Sequence, residues 1–176
     1  MPHYVTLLRG VNVGGHGKLP MADFRKMLAD LGYGAVKSYI QSGNATFTSD
    51  DAARDIARAV SDGIHERFGF RRPVIVRSLP EFQQAIRASP FTPAEGKKLH
   101  LIFTQGDITL DARGLQALCT AGEEFALIGS TLYLHTPHGF GTSKAAAKLE
   151  KFLQAEAFTA RNLTSCHAIA ALAAAP

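Results

Sequence analysis

The stretch SPFTPAEGKK, residues 89–98, holds two prolines, a glycine and mostly polar side chains, a composition that ends regular structure. What most constrains the fold is that one succession of hydrophobic patterns runs on both sides of it. Before it, HYVTLLRG (3–10) alternates as a strand, with Val5 and Leu7 to one side and Tyr4, Thr6 and Leu8 to the other. Residues 20–32 then place Phe24, Met27, Leu28 and Leu31 on one helical face, between Pro20 in the first turn and Gly32 at the stop. AVKSYIQSGNATFTS (35–49) reads as a hairpin around Ser42-Gly43. Asp50 or Asp51 is the expected cap of a helix with Ile56, Val60, Ile64 and Phe68 in one stripe. A buried strand (72–78) follows, and Ser78 with Glu81 forms a capping-box pattern that opens a helix through Ile86.

After the break the order returns. There is a strand over 99–105, a modest helix near 111–121, and a hairpin (124–129 and 131–136) turning at Gly129-Ser130. A helix over SKAAAKLEKFLQ (143–154), a strand over 158–161 and a C-terminal helix over about 164–174 complete it. Each side is βαββαβ plus a helix, the split βαβ order. The expected class is therefore α+β: two ferredoxin-like halves, each an antiparallel sheet with helices on one face. The expected domains are 1–90 and 99–176, joined by a linker at 91–98. Residue identities hardly repeat between them, so the duplication is one of element order.

Length and composition narrow the classes. A chain of 176 residues, 46% apolar and 19% charged, buries a real core. No run reaches the ~18–20 apolar residues of a membrane helix, and MPHYVTLLRG has no basic region ahead of a long apolar stretch, so no signal peptide is expected. Cys119 and Cys166 lie far apart, which suits a reducing cytosol and offers no zinc site. The net charge of +4 permits a phosphate-bearing partner without requiring one.

Topology gathers the polar loops. If the first and third strands of a half are antiparallel neighbours, Arg9–Asn12 meets Gln41–Asn44 at one sheet edge. In the second half, HTPHGFGTSK (135–144) and TARN (159–162) share the corresponding edge. Arg9, Asn12, Gly14, Gly15 and Lys18, with Gln41, Ser42 and Asn44, thus read as an anion cradle: glycine backbone approaches an oxyanion and a cation completes the charge. The alternative is a long turn with solvated cations. The pattern is neither GxGxxG nor GxxxxGK[ST], so no dinucleotide or P-loop assignment follows. Ser143, Lys144, Arg161 and Asn162 form a second candidate, with Thr142 or Ser143 as a plain helix cap the competing account.

LLRGVNVGG, MADFR, YIQSGN and, later, TSK and TARN resemble the bacterial family called domain of unknown function 1697, along nearly the whole chain. The resemblance implies a small cytosolic α+β protein of two related halves and no established reaction. Leu163 stands where that family usually has an aromatic residue, and His167 where it more often has an aliphatic or basic one.

The remaining signals are weak. His135 and His138 lack further ligands for a metal, and no cofactor is expected. His16 is read as exposed, His167 as helix surface and Cys166 as core. Ser42 and Ser143 have no carboxylate that the sequence places beside them, so no enzyme is asserted. The expected partner is a small anionic or phosphorylated ligand. The alternatives are RNA stacking on strand aromatics, which Tyr4 and Phe47 serve poorly because their parity reads as opposite faces, or a protein partner. No membrane is expected, and the chain is read as a monomer or a homodimer.

Overall fold

A computed structural model describes all residues, Met1–Pro176. The fold is α+β, with antiparallel sheets and six α-helices. The chain divides into two compact units, one of Met1–Gln84 with His167–Pro176 and one of Ala85–Cys166.

In the first unit, β1 (His3–Leu8), α1 (Met21–Asp30), β2 (Gly34–Tyr39), β3 (Asn44–Thr48), α2 (Ala53–Phe68) and β4 (Val74–Ser78) precede α3 (Leu79–Arg87). The sheet order is β2-β3-β1-β4, and every neighbouring pair is antiparallel. Leu8, Ala45, Phe47, Val74 and Val76 face Phe24, Met27, Leu28, Ile56, Val60 and Ile64 of the helices in one core. The helix boundaries follow local chemistry. Gly69 ends α2 in the left-handed conformation. Ser78 and Glu81 exchange bonds at the head of α3, with the Ser78 N–H and hydroxyl reaching Glu81 Oε2 at 2.9 and 2.8 Å. The expected Asp cap of α2 is not formed. Ala52 holds the N-cap without a side-chain bond, while the Asp51 carbonyl accepts from the Tyr4 hydroxyl and its N–H donates to Ser49 Oγ.

A second correction concerns the aromatics. Tyr4 and Phe47 are register partners, so they share a face, with ring centroids 6.5 Å apart. That face is the helix-covered one. The opposite face carries Val5, Leu7 and Ile75, at 0%, 1% and 0% exposure. Lys37 lies on it, opposite Thr46, and donates to the Leu172, Ala175 and Pro176 carbonyls that end the C-terminal helix. A cation on those orphan carbonyls satisfies them and opposes the helix dipole.

The second unit contains β5 (Leu99–Gln105), β6 (Thr109–Leu110), α4 (Ala112–Leu118), β7 (Glu124–Ile128), β8 (Thr131–His135), α5 (Lys144–Ala147), β9 (Leu153–Gln154) and β10 (Ala157–Asn162), before α6 (Leu163–Ala174). Its main sheet runs β10-β5-β8-β7, and β6 and β9 form a separate ribbon. Substituting β5, β7, β8 and β10 for β1, β2, β3 and β4 reproduces the strand order of the first sheet. The correspondence reaches individual residues. Arg77 pairs with Val5, the third residue of β1, and Arg161 with Leu101, the third of β5. Each Nη1 donates to the carbonyl just before its own residue, Val76 at 3.0 Å and Ala160 at 2.9 Å. The next residues, Ser78 and Asn162, accept from the N–H groups of Glu81 and Ser165, and a leucine follows both.

The helix read over 143–154 is the main departure from the sequence pattern. Its α-helical part is four residues, followed by a 3-10 turn at Leu149–Lys151 and then β9. Lys148, at φ −110° and ψ 15°, leaves the helix. Alanine and lysine favour helix locally, but Leu153 pairs with Leu110 and the Phe152 carbonyl accepts from the Asp111 N–H at 2.8 Å. These partners lie some forty residues away in sequence, and no local window contains them. Gly114 makes the arrangement possible, because a Cβ there would sit 2.6 Å from the Phe152 ring. Gly114→Ala is expected to cost about 1–3 kcal/mol by overpacking, read as a lower urea midpoint, and adding Phe152→Leu should recover part of the loss.

Candidate functional site

The Leu7–Asn44 pairing of β1 with β3 brings the loop after β1 to the β2–β3 turn. The Leu8 N–H donates to the Gly43 carbonyl at 2.9 Å. Asn12 joins the two segments. Its Nδ2 donates to the Leu19 carbonyl at 2.9 Å and the Gln41 carbonyl at 2.7 Å, and its Oδ1 accepts from the Leu19 N–H at 2.8 Å. RGVNVGG and QSGN therefore meet, as the topology requires.

The glycines in this loop have a backbone task. The Asn12 N–H bonds the Gly17 carbonyl, the His16 N–H bonds the Val13 carbonyl, and Val13 bridges His16. Gly14 and Gly15 between them have φ of 58° and 75°, the two left-handed residues of a type I′ turn. The loop is thus a miniature hairpin with an exposed tip. Two of the chain's three non-glycine residues with positive φ lie on these segments, Asn12 at 55° and Ile40 at 48°. Asparagine tolerates that region; a β-branched isoleucine stores strain there.

The sequence-selected residues take distinct places. Asn44 is fully buried and donates to the Tyr39 carbonyl and Ser42 Oγ, at 3.0 and 2.8 Å, closing its own turn. Arg9 is half-buried, with its N–H on the Pro73 carbonyl. Lys18, Gln41, Gly14 and Gly15 are exposed. Residues 9–20 and 40–44 include Arg9 and Lys18 and no acidic side chain. Arg72, which the sequence reading passed over, stands at the foot of the loop. Its Nε donates to the Gly10 carbonyl at 3.0 Å and its guanidinium lies 5.1 Å from the Phe70 ring centroid. The aromatic followed by two cations in Phe70-Arg71-Arg72 was the available signal.

In the second unit, Asn162 Oδ1 and Ser143 Oγ accept from the N–H groups three residues on, at 2.8 and 3.1 Å, as helix caps. Arg161 is 8% exposed, donates to Thr159 Oγ1 at 2.9 Å, and is held down to a pKa of about 10 by burial. Burial pushes the Cys166 thiol up to about 12, out of the reactive range. Lys144 is exposed, and its helix is a single turn. The sequence reading also missed Glu123, which stands beside Ser143. Glu123 is buried, and Oε1 accepts from the Thr120 N–H and hydroxyl at 2.8 and 2.6 Å. Burial raises its pKa, but the neighbouring Ser143 hydroxyl, the bonds from Thr120 and the charge of His138 outweigh that, so it sits below the usual range. Thr120-x-x-Glu123 has capping-box spacing, the signal that could have found it.

Among solved structures, the chain is similar to a conserved bacterial protein from Streptococcus pneumoniae, with a TM-score of 0.76 at 24% identity, covering 97% of this chain and 98% of that one. The likeness shows the fold. The family model described as "Protein of unknown function (DUF1697)" matches residues 1–133. The chain belongs to the DUF1697 family. The matched residues contain the hairpin loop and the QSGN turn, whereas TSK and TARN lie beyond them. No curated protein matches. No helix of this DUF1697 protein is long and apolar enough to cross a membrane.

Two outcomes follow from this geometry. Asn12→Ala removes three hydrogen bonds and leaves a Cβ residue at φ 55°. It should lower stability by about 2 kcal/mol and speed limited proteolysis within residues 10–19 relative to the wild type. His100, stacked 3.7 Å from Phe140 with its Nδ1 buried and unpartnered, has its pKa lowered by burial to about 4. The unfolded chain takes up this proton first as pH falls through about 6.5. The stability from neutral His100 is therefore complete above that pH and declines towards pH 4, by roughly 3 kcal/mol in all. Urea midpoints at pH 7 and 4.5 should differ less in His100→Phe than in the wild type.

Proposed function

We propose that this protein binds a small anionic ligand, phosphorylated metabolites being the closest chemical class, at the loop edge of the first sheet. The observation that carries the reading is the 2.7 Å bond from Asn12 to the Gln41 carbonyl, which stitches two strained segments into one preformed edge. Strain of this kind persists where surrounding structure enforces it and is concentrated at binding sites. Lys18 on the hairpin loop, Arg9 where it leaves β1 and Arg72 at its foot supply positive charge along this edge. Asn12, Ser42 and Asn44 act as scaffolding in this reading, and Lys18, Gln41 and the hairpin backbone meet the ligand. Ser143, Arg161 and Asn162 likewise hold their own loops, with Lys144 the residue left to meet an anion at that second edge. The repeated strand order, with Arg77-Ser78-Leu79 answering Arg161-Asn162-Leu163, supports two ferredoxin-like halves. RNA stacking on the first sheet is disfavoured, because Tyr4 and Phe47 face the helices and the other face is filled by Val5, Leu7 and Ile75.

The test is a thermal-shift panel of inorganic phosphate, pyrophosphate, sugar phosphates, nucleotides and short RNAs on wild type, Lys18→Ala and Arg9→Ala. A compound at ~100 times its Kd adds ~2.7 kcal/mol. A rise with one phosphate class that Lys18→Ala weakens is expected. A flat panel, or a rise indifferent to both substitutions, overturns the site.

A further inference from the structure

We propose that β7 is a pairing edge through which two copies of the chain join, β7 against β7, in one continuous antiparallel sheet. This is independent of the ligand site. Unpaired strand edges invite other strands, and proteins blunt them with charged side chains, lysine above all, with proline or with bulges. Three of the four outer strands of the two main sheets carry such devices. In β2 the register shifts between Gly34 and Lys37, with Ala35 at φ 49°. β4 follows Pro73 and contains Arg77, and β10 contains Arg161. β7, Glu-Phe-Ala-Leu-Ile, has only Glu124 at its first residue, with no lysine, arginine, proline or bulge, and its five-residue ladder to β8 is unbroken. Its outer end leaves Leu127 and Ile128 at 37% and 43% exposure, on opposite faces of the sheet. An incoming strand covers both.

The register favours a second copy as the occupant. A two-residue turn closes on a pair that exchanges both backbone bonds, here Ile128 with Thr131, and bonded pairs alternate from there. Ala126 and Glu124 therefore point their backbone groups at β8, and Phe125 and Leu127 point theirs outward. A two-fold axis at Ala126 sets Phe125 opposite Leu127 of the other copy in both directions. All the outward donors and acceptors are then matched. The apolar side chains pair, and each Glu124 meets an Ile128 rather than another carboxylate. A contact this short is weak and concentration-dependent.

Sedimentation of the full chain over a dilution series tests it. The wild type should shift from monomer to dimer, and Leu127→Lys, an exposed change, should raise the dimer Kd by about tenfold or more. In a Cys119→Ser background, Ala126→Cys places two thiols across the axis in a non-hydrogen-bonded pair, where Cα atoms are ~4.5 Å apart and a disulfide fits. Mild oxidation should lock that dimer, whereas Glu124→Cys should stay uncrosslinked. A wild type that is monomeric throughout overturns the proposal. So does a dimer that Leu127→Lys leaves intact and Ala126→Cys fails to lock, since it uses another surface.

Discussion

The first unit depends on the double pairing of β1. Five residues of that strand bond β3 on one side and five bond β4 on the other, and both of its faces are buried. Such a strand has no freedom of register: a one-residue slip exchanges Val5 and Leu7 for Thr6 and Leu8 and moves every side chain to the wrong face. The fixed register is what brings the loop after Leu8 to Gly43, and Asn12 within reach of Gln41. The candidate site is thus a consequence of sheet topology before it is a consequence of its own residues.

The same dependence explains the glycine-rich segment. Glycines near cations suggest an anion cradle, but φ of 58° and 75° at Gly14 and Gly15 is what a tight turn demands. The turn and the cradle are compatible, because a hairpin tip held by Asn12 is already ordered before any ligand arrives. Ordering beforehand is what reduces the entropic cost of binding.

Much of this was legible in the sequence because it rests on local rules. Alternation marked β1, the Ser78–Glu81 spacing marked the head of α3, and element order brought Arg9–Asn12 to Gln41–Asn44. What was not legible depends on distant partners. The helical run after Ser143 is cut short by the pairing of Leu153 with Leu110. Tyr4 and Phe47 share a face because the β1–β3 register sets them opposite each other, which a parity count along separate strands does not fix. Asn12, Asn44 and Asn162 carry the residue type of a binding site, yet their amides are engaged with backbone. A sequence shows the functional group and not the neighbour that occupies it.

The twin arginines give the molecule a built-in comparison. Arg77 and Arg161 occupy matching places on matching strands, bond the preceding carbonyl alike and precede a capping residue and a leucine. They differ in depth: Arg161 is buried, and desolvation depresses its pKa further than that of Arg77. The strand position is thereby held constant while depth and neighbours vary, Arg161 also bonding Thr159 Oγ1. One polypeptide in one tube thus serves as both sample and reference for how strongly an environment acts on a guanidinium ion.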